Sequence, residues 1–175
     1  MKFRNIIEKE FGEIILPFNK SKIKKFKHLD CLALTGEILV CRDMVHKKIA
    51  ELCSENKKLP VSFENSVIFY AGPSPTPANK IIGAIGPTTS SRMDCYVELM
   101  LKLGVNAFIG KGQRSAEAMK KIRDYGAVYL ITFGGYAALL SQFIEKSETI
   151  AFAELGAEAL LRLTVKRFPV LVYKN

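Results

Sequence analysis

One pattern recurs along this chain of 175 residues and limits the folds open to it. A short apolar run, typical of a buried strand, leads into a turn that carries glycines, hydroxyls or cations, and a helical pattern usually follows. The runs that end in this way are residues 37–41, 81–85, 105–109 and 127–133. Strands that alternate with helices favour an α/β fold, in which ligands bind at the edge of the sheet where the parallel strands end.

The final part of the chain breaks that alternation. Three strand-like runs follow one another there with only short connections, at residues 149–153, 160–165 and 170–173. Strands joined so closely pair antiparallel, so we predict a mixed sheet with flanking helices instead of a purely parallel sheet. One domain spanning 1–175 is expected, because about half of the residues are apolar and the chain is long enough to bury a core.

Glycines and apolar spacing give further local predictions. Thr35 and Gly36 are expected to form a turn between two strands, and residues 136–145 are expected to form a helix. A helix is also predicted at 115–125, with a glycine at its end. Residues 1–17 mix charged and apolar side chains in a way that fits either an edge strand or a short helix.

The turn richest in reactive groups is residues 86–94, with the sequence GPTTSSRMD. A helix is predicted after it, because apolar residues recur there at helical spacing (Met93, Val97, Met100, Leu101). One of the hydroxyls at 89–91 is expected to cap that helix, whose unpartnered N–H groups favour an anion. Arg92 can bind two oxygens of the same anion. The alternative is an ordinary turn whose hydroxyls only cap the helix.

A second turn carries Arg42 at the start of another predicted helix. Arg42 can reach the same anion as Arg92 if the two turns face each other, and otherwise it is an exposed arginine paired with Asp43 or Glu37. His46 lies one helical turn later. We interpret His46 as structural, because no carboxylate or cysteine at motif spacing marks it as part of a catalytic dyad.

The third turn places Lys111 between Gly110 and Gly112, where the glycines let the backbone approach a ligand closely. The spacing around this lysine is not that of a nucleotide-binding phosphate loop. The fourth turn is the pair Gly134 and Gly135. Four polar turns that follow strands predict a binding edge for a small anion.

The formal net charge of +9 raises nucleic-acid binding as an alternative function. Five lysines are concentrated in one segment (Lys20, Lys22, Lys24, Lys25, Lys27). No recognised nucleic-acid motif accompanies them, so a solvated lysine face, or a field that attracts small anions, is favoured and no nucleic acid is expected.

Cysteine spacing and hydropathy exclude other classes. The four cysteines form no C-x-x-C pair, so this chain alone is not predicted to hold a metal or a cluster. No apolar run is long enough to span a membrane, and the N-terminus lacks a signal-peptide core. We therefore expect a cytoplasmic protein without a membrane partner.

Taken together, these motifs resemble the β subunit, or C-terminal β region, of the class I iron–sulfur hydro-lyases of the fumarase and L-tartrate dehydratase family. The string GPTTxxRMD carries most of that resemblance. The matching blocks run through nearly the whole chain: Thr35 with Gly36, residues 41–43 with His46, and residues 71–73, 86–94, 110–112, 134–135 and 154–156.

The resemblance implies a swivelling β/β/α domain that closes over a [4Fe-4S] cluster. The cysteine ligands of that cluster come from a separate α region, which would here be an α subunit in a hetero-oligomer. The implied reaction adds or removes water across a small dicarboxylate, with one cluster iron as the Lewis acid. Fumarate hydration is the favoured activity and tartrate dehydration the alternative.

The resemblance also implies roles for individual residues. Arg42 and Arg92 would bind substrate carboxylates, and Lys111 would supply positive potential. Thr88 occupies the position of the proton-abstracting base, which requires neighbouring cations to stabilise its alkoxide. Asp94 would orient Arg92. The remaining candidates are four substrate-binding positions and two supporting ones: Thr89, Gly110, Gly112, Gly134, and Asp43 with His46.

Overall fold

The strands of this protein form a mixed sheet that closes on itself, as seen in a computed structural model that describes residues 2–174, with side chains for all of these except 2–4 and 8. The helices are α1 (Lys2–Glu10), α2 (Lys20–Lys25), α3 (Asp43–Ser54), α4 (Val97–Lys102), α5 (Ala116–Asp124) and α6 (Ala137–Leu140). The strands are β1 (Gly12–Ile15), β2 (Cys31–Val40), β3 (Val67–Phe69), β4 (Ala71–Pro73), β5 (Ile85–Pro87), β6 (Ala107–Gly110), β7 (Val128–Ile131), β8 (Ile144–Ala151) and β9 (Leu160–Tyr173). Short 3-10 helices cover Ser90–Tyr96, Ser141–Phe143 and Ala153–Glu158.

Pairing of the strands produces a closed ring. β2, β3, β6 and β7 lie side by side and parallel in that order. The long strand β9 runs antiparallel to both β7 and β2, which joins the two ends of the parallel set. β1 pairs parallel with β2, and β8 pairs antiparallel with β9. The predicted mixed sheet is confirmed, and the antiparallel pairing predicted for the final runs is confirmed for β8 with β9.

Apolar side chains fill both faces of this ring. Successive residues of a strand point to opposite faces, so Ile38 and Val40 pack inside while Leu39 and Cys41 pack outside. β3 and β6 repeat the alternation. The inner cluster also takes in Ile7, whereas α3, α4 and α5 contribute their buried residues to the outer cluster. The ring is therefore a packed core with helices on its outer face.

Two predicted boundaries in the ring strands are wrong for the same reason. Thr35 and Gly36 do not form a turn, because β2 runs unbroken and only shifts its register against β9 between Leu34 and Gly36. Residues 160–165 and 170–173 likewise form one strand, β9. A glycine or a positively charged run suggests a break in the sequence, but a bulge inside a paired strand accommodates it.

Other predictions also need correction. Only Ile85 of the run at 81–85 lies in a strand, and that strand, β5, belongs to a separate two-stranded sheet with β4. The helix predicted at 136–145 ends at Leu140, a 3-10 turn follows, and β8 begins at Ile144. The described part of residues 1–17 holds both a helix, α1, and a strand, β1.

The helix predicted at 115–125 is confirmed as α5, which Ser115 caps by accepting a hydrogen bond from the amide of Ala118. Among residues 2–174, no helix has the length and apolar character needed to cross a bilayer. The single domain and its swivelling motion stay predictions.

Candidate functional site

Three of the predicted turns follow parallel strands of the ring and lie at one edge of it. Arg42 follows β2, Lys111 follows β6 and Gly134 follows β7. The chain leaves β3 through the antiparallel hairpin of β4 and β5, which returns it to the same edge at Thr88. The GPTT motif is thus delivered by a hairpin, whereas a strand of the main sheet was predicted to deliver it.

Thr88 is fixed against the end of β3. Its amide donates to the carbonyl oxygen of Tyr70 at 2.7 Å, and its hydroxyl Oγ1 donates to the same oxygen at 3.2 Å. The hydroxyl proton is therefore engaged by the backbone, and the lone pairs of Oγ1 remain for another partner.

The next two residues tie this segment to the glycine–lysine turn. Thr89 and Lys111 form a parallel β-bridge, and the amide of Ser90 donates to the carbonyl oxygen of Lys111 at 3.1 Å. The predicted hydroxyl cap is not observed: a 3-10 helix begins at Ser90, and Thr89 makes no side-chain cap. Thr89 and Lys111 have exposed side chains, so this part of the site is open to solvent.

The two predicted arginines lie on turns that face each other. Arg92 pairs with Asp43, at 3.2 Å between Nη2 and Oδ2, so residue 43 connects the GPTT segment to the start of α3. Arg42 pairs instead with Glu158, at 3.2 Å between Nη2 and Oε1. Sequence reasoning missed Glu158, which lies more than a hundred residues from Arg42 and carries no motif of its own.

The glycines beside Lys111 have separate structural reasons. A side chain on Gly110 would overlap the hydroxyl of Ser90, so only glycine fits there. Gly112 adopts a φ of +77°, a left-handed conformation that glycine tolerates best. Gly134 lies beside the lysine side chain, since a methyl group in place of its hydrogen would be 3.6 Å from Lys111 Cδ. The three glycines and Lys111 are thus brought together as predicted, while their roles stay predictions.

His46 is buried directly under Arg42. Its Nδ1 lies 2.8 Å from the carbonyl oxygen of Arg42 and therefore carries the proton, because a carbonyl can only accept. Tyr70 and Tyr96 flank the imidazole, each with its ring centroid 5.5 Å away. Burial lowers the pKa of His46 to about 4, so the ring is neutral at physiological pH. Its Nε2 is buried and has no hydrogen-bond partner among the described residues, and the structural interpretation of His46 stays a prediction.

Asp94 does not orient Arg92. Its carboxylate accepts from Nε of Arg114 at 2.7 Å and from the amide of Ser115 at 2.8 Å. The Arg114 side chain is fully buried and also donates to the hydroxyl of Tyr70 at 3.2 Å. Burial alone would lower the pKa of Arg114, but Tyr70 and Asp94 together raise it, so the guanidinium stays charged. Sequence reasoning missed Arg114.

The cysteines and acidic residues do not fit a metal cluster. Within residues 2–174, no three His, Cys, Asp or Glu side chains are grouped so that they could hold a metal ion. Cys41 is buried, and burial raises the pKa of its thiol, whereas cluster ligands are thiolates. A [4Fe-4S] cluster therefore has no ligand set in this part of the chain.

Comparison with known proteins places this geometry in context. The profile of a protein family described as the fumarase C-terminus matches residues 8–175. The anaerobic class I fumarate hydratase of Escherichia coli is 41% identical over 143 residues, which are 81% of this chain and 26% of that protein. A putative L(+)-tartrate dehydratase subunit beta of Methanocaldococcus jannaschii is 40% identical over 158 residues, 87% of this chain and 81% of that protein. The chain thus spans about a quarter of that fumarate hydratase and most of the tartrate dehydratase subunit.

Proposed function

The chain belongs to the fumarase C-terminus family, and we propose that it is the β subunit of a hydro-lyase that adds water to fumarate or removes it from malate. One observation carries the proposal: two arginines, a lysine and a threonine hydroxyl from three separate turns lie at one edge of the ring. Cations on a rigid edge suit a small dicarboxylate, whose two charged ends need separate partners.

The two arginines are proposed to bind the substrate carboxylates. Arg92 has an exposed guanidinium that uses Nη2 for Asp43, and its planar set of N–H groups suits the two oxygens of a carboxylate. Arg42 is less exposed, and its partner Glu158 also accepts a hydrogen bond from the amide of Met44 at the start of α3. Asp43 and Glu158 are thus proposed to orient Arg92 and Arg42, respectively, for substrate binding.

Lys111 and Thr88 are proposed to act at the reacting carbons. Lys111 supplies a positive charge next to the segment that carries Thr88, which favours negative charge as it develops on the substrate. Thr88 Oγ1 would act as a base in its alkoxide form, after its own proton has passed to solvent. The alkoxide takes a proton from the substrate and becomes again the hydroxyl that donates to the Tyr70 carbonyl.

We assign the iron–sulfur cluster to a partner α subunit, because the described cysteines do not fit it. The tartrate dehydratase relative, itself named as a subunit beta of similar length, supports a hetero-oligomer of this kind. That relative also favours tartrate as the second candidate substrate. The lysines of α2 lie at the surface while Ile23 packs into the core, and polyanion binding stays the non-enzyme alternative.

The test is co-expression with a cluster-bearing α subunit, anaerobic purification, and assay of fumarate hydration and tartrate dehydration. We expect activity only in the complex, and a loss of about ten- to a hundredfold in kcat/KM for Arg92→Ala, because a hydrogen bond to a charged group contributes about 1.5–3 kcal/mol. Arg162→Ala is the matched control, since Arg162 pairs with Glu37 on the strands. Activity in the iron-free chain alone, or equal losses in both variants, would refute the proposal.

A further inference from the structure

Two backbone segments carry the residues proposed for the reaction, and they lie side by side. One holds Thr88 and continues to Ser90; the other holds Lys111 between its two glycines. A backbone hydrogen bond, from the amide of Ser90 to the carbonyl oxygen of Lys111, joins them at the bridge. Both side chains act only if these segments keep their spacing, because small displacements of catalytic groups are costly.

The hydroxyl of Tyr129 forms a hydrogen bond with each of the two segments. It lies 2.9 Å from Oγ of Ser90 and 2.9 Å from the carbonyl oxygen of Gly112. Because a carbonyl can only accept, the tyrosine hydroxyl donates to Gly112 and accepts from the hydroxyl of Ser90. Tyr129 is fully buried in β7, so one rigid side chain spans both segments.

Arg114 in turn holds Tyr129 in place. Its guanidinium lies over the rings of Tyr70, Phe108 and Tyr129, with centroids 5.2, 5.6 and 5.4 Å away. Phe108 and Tyr129 lie on the neighbouring parallel strands β6 and β7, Tyr70 directly follows β3, and all three rings belong to the outer cluster. Asp94 fixes the guanidinium from the far side. A buried cation is costly unless it is paired, and here the aromatic faces and the carboxylate offset that cost.

We propose that Tyr129 is a positioning residue that sets the spacing between Thr88 and Lys111, and that the Arg114–Asp94 pair fixes Tyr129 in that position. The inference rests on the proposed hydro-lyase function for its kinetic consequence, but not for its structural one. The side chains of Tyr129 and Arg114 are buried and do not reach the open surface of the site, so both residues act through others.

The sharpest test is Tyr129→Phe, which removes only the hydroxyl, with Tyr173→Phe as the matched control because the Tyr173 ring packs edge-on against Tyr129 at 5.8 Å. In the complex with the α subunit, we expect kcat to fall about ten- to a hundredfold in Tyr129→Phe while KM changes less than about threefold. In the double variant Tyr129→Phe, Arg114→Lys, the loss in kcat should be smaller than the product of the losses in the two single variants, because both substitutions act on one contact.

A second readout does not depend on activity. In the purified chain, amide hydrogen exchange at Ser90 should accelerate at least about tenfold in Tyr129→Phe, while the amide of Tyr70, bonded to Ile109, stays protected. Equal kcat in the two tyrosine variants, or exchange that rises equally at Ser90 and Tyr70, overturns the inference. If wild-type complex lacks activity, the proposed function fails, and the Ser90 exchange alone decides whether Tyr129 positions the segments.

Discussion

His46 is an uncharged imidazole packed beneath one of the proposed substrate arginines. Two of its contacts, from the backbone amide and from Nδ1, go to the carbonyl oxygen of Arg42. A protonated ring at this place would put a buried positive charge close to Arg114, which also lowers the pKa of His46. A neutral ring therefore supports the arginine without adding charge to the site.

The lowered pKa makes stability depend on pH in a defined direction. In the unfolded chain His46 takes up a proton below about its ordinary pKa of 6.5, whereas in the folded chain it does so only near 4. The free energy of unfolding therefore has its full value above pH 6.5. It decreases as the pH falls toward 4, by an amount on the order of 3 kcal/mol.

Histidine NMR signals followed between pH 8 and 4 check this prediction. The chain has two histidines, so the spectrum of a His28→Gln variant identifies the signal of His46. We expect that signal to stay that of the neutral ring down to about pH 5. A midpoint near 6.5 would show that the imidazole is hydrated and the prediction wrong.

At the scale of elements, the end of β6 and the GPTT segment meet where Gly110 faces Ser90. We predict that Gly110→Ala lowers the free energy of unfolding, because its methyl group would occupy the position of the Ser90 hydroxyl. The double variant Gly110→Ala, Ser90→Ala should recover part of that loss, since the obstructing oxygen is gone. Urea denaturation measures both, and simple additivity of the two single effects would contradict the contact.

Sequence patterns predicted the strands and turns whose causes are local. The helix α5 has its cap, apolar face and terminal glycine within a dozen residues, and β6 and β7 are short apolar runs followed by glycines. The errors occurred where pairing decides the structure. The Gly36 bulge depends on β9, and the β4–β5 hairpin depends on antiparallel partners that periodicity does not identify.

The candidate site divides in the same way. Its polar turns could be predicted, because each cation or hydroxyl directly follows a strand. Glu158 and Arg114 could not, because their partners come from distant parts of the chain. A signal for Arg114 does exist in three aromatic residues: Phe108 and Tyr129 are register partners on β6 and β7, and Tyr70 directly follows β3. This signal becomes visible only when the strand pairing is known.

At the scale of the molecule, stability depends on the closure of the ring by β9. Phe168 is fully buried and packs edge-on against Phe69 across the interior, with ring centroids 5.3 Å apart. We predict that Phe168→Ala lowers the free energy of unfolding by about 3–5 kcal/mol through lost burial and an internal cavity. Ile15→Ala, at a side chain 59% exposed, should cost less than about 0.5 kcal/mol. Equal urea midpoints for the two variants would argue against the closed ring.

The ion pairs of the edge also determine how much charge the site can neutralise. Arg42, Arg92 and Lys111 are cations, while Asp43 and Glu158 are anions, so the edge as a whole carries one net positive charge. A dicarboxylate brings two negative charges and would leave the edge one charge short of neutrality. This chain therefore supplies only half of the positive charge that a bound dicarboxylate needs. We therefore expect the isolated chain to bind a dicarboxylate weakly and with an affinity that depends on ionic strength. That dependence should be far smaller once a positively charged surface closes over the site.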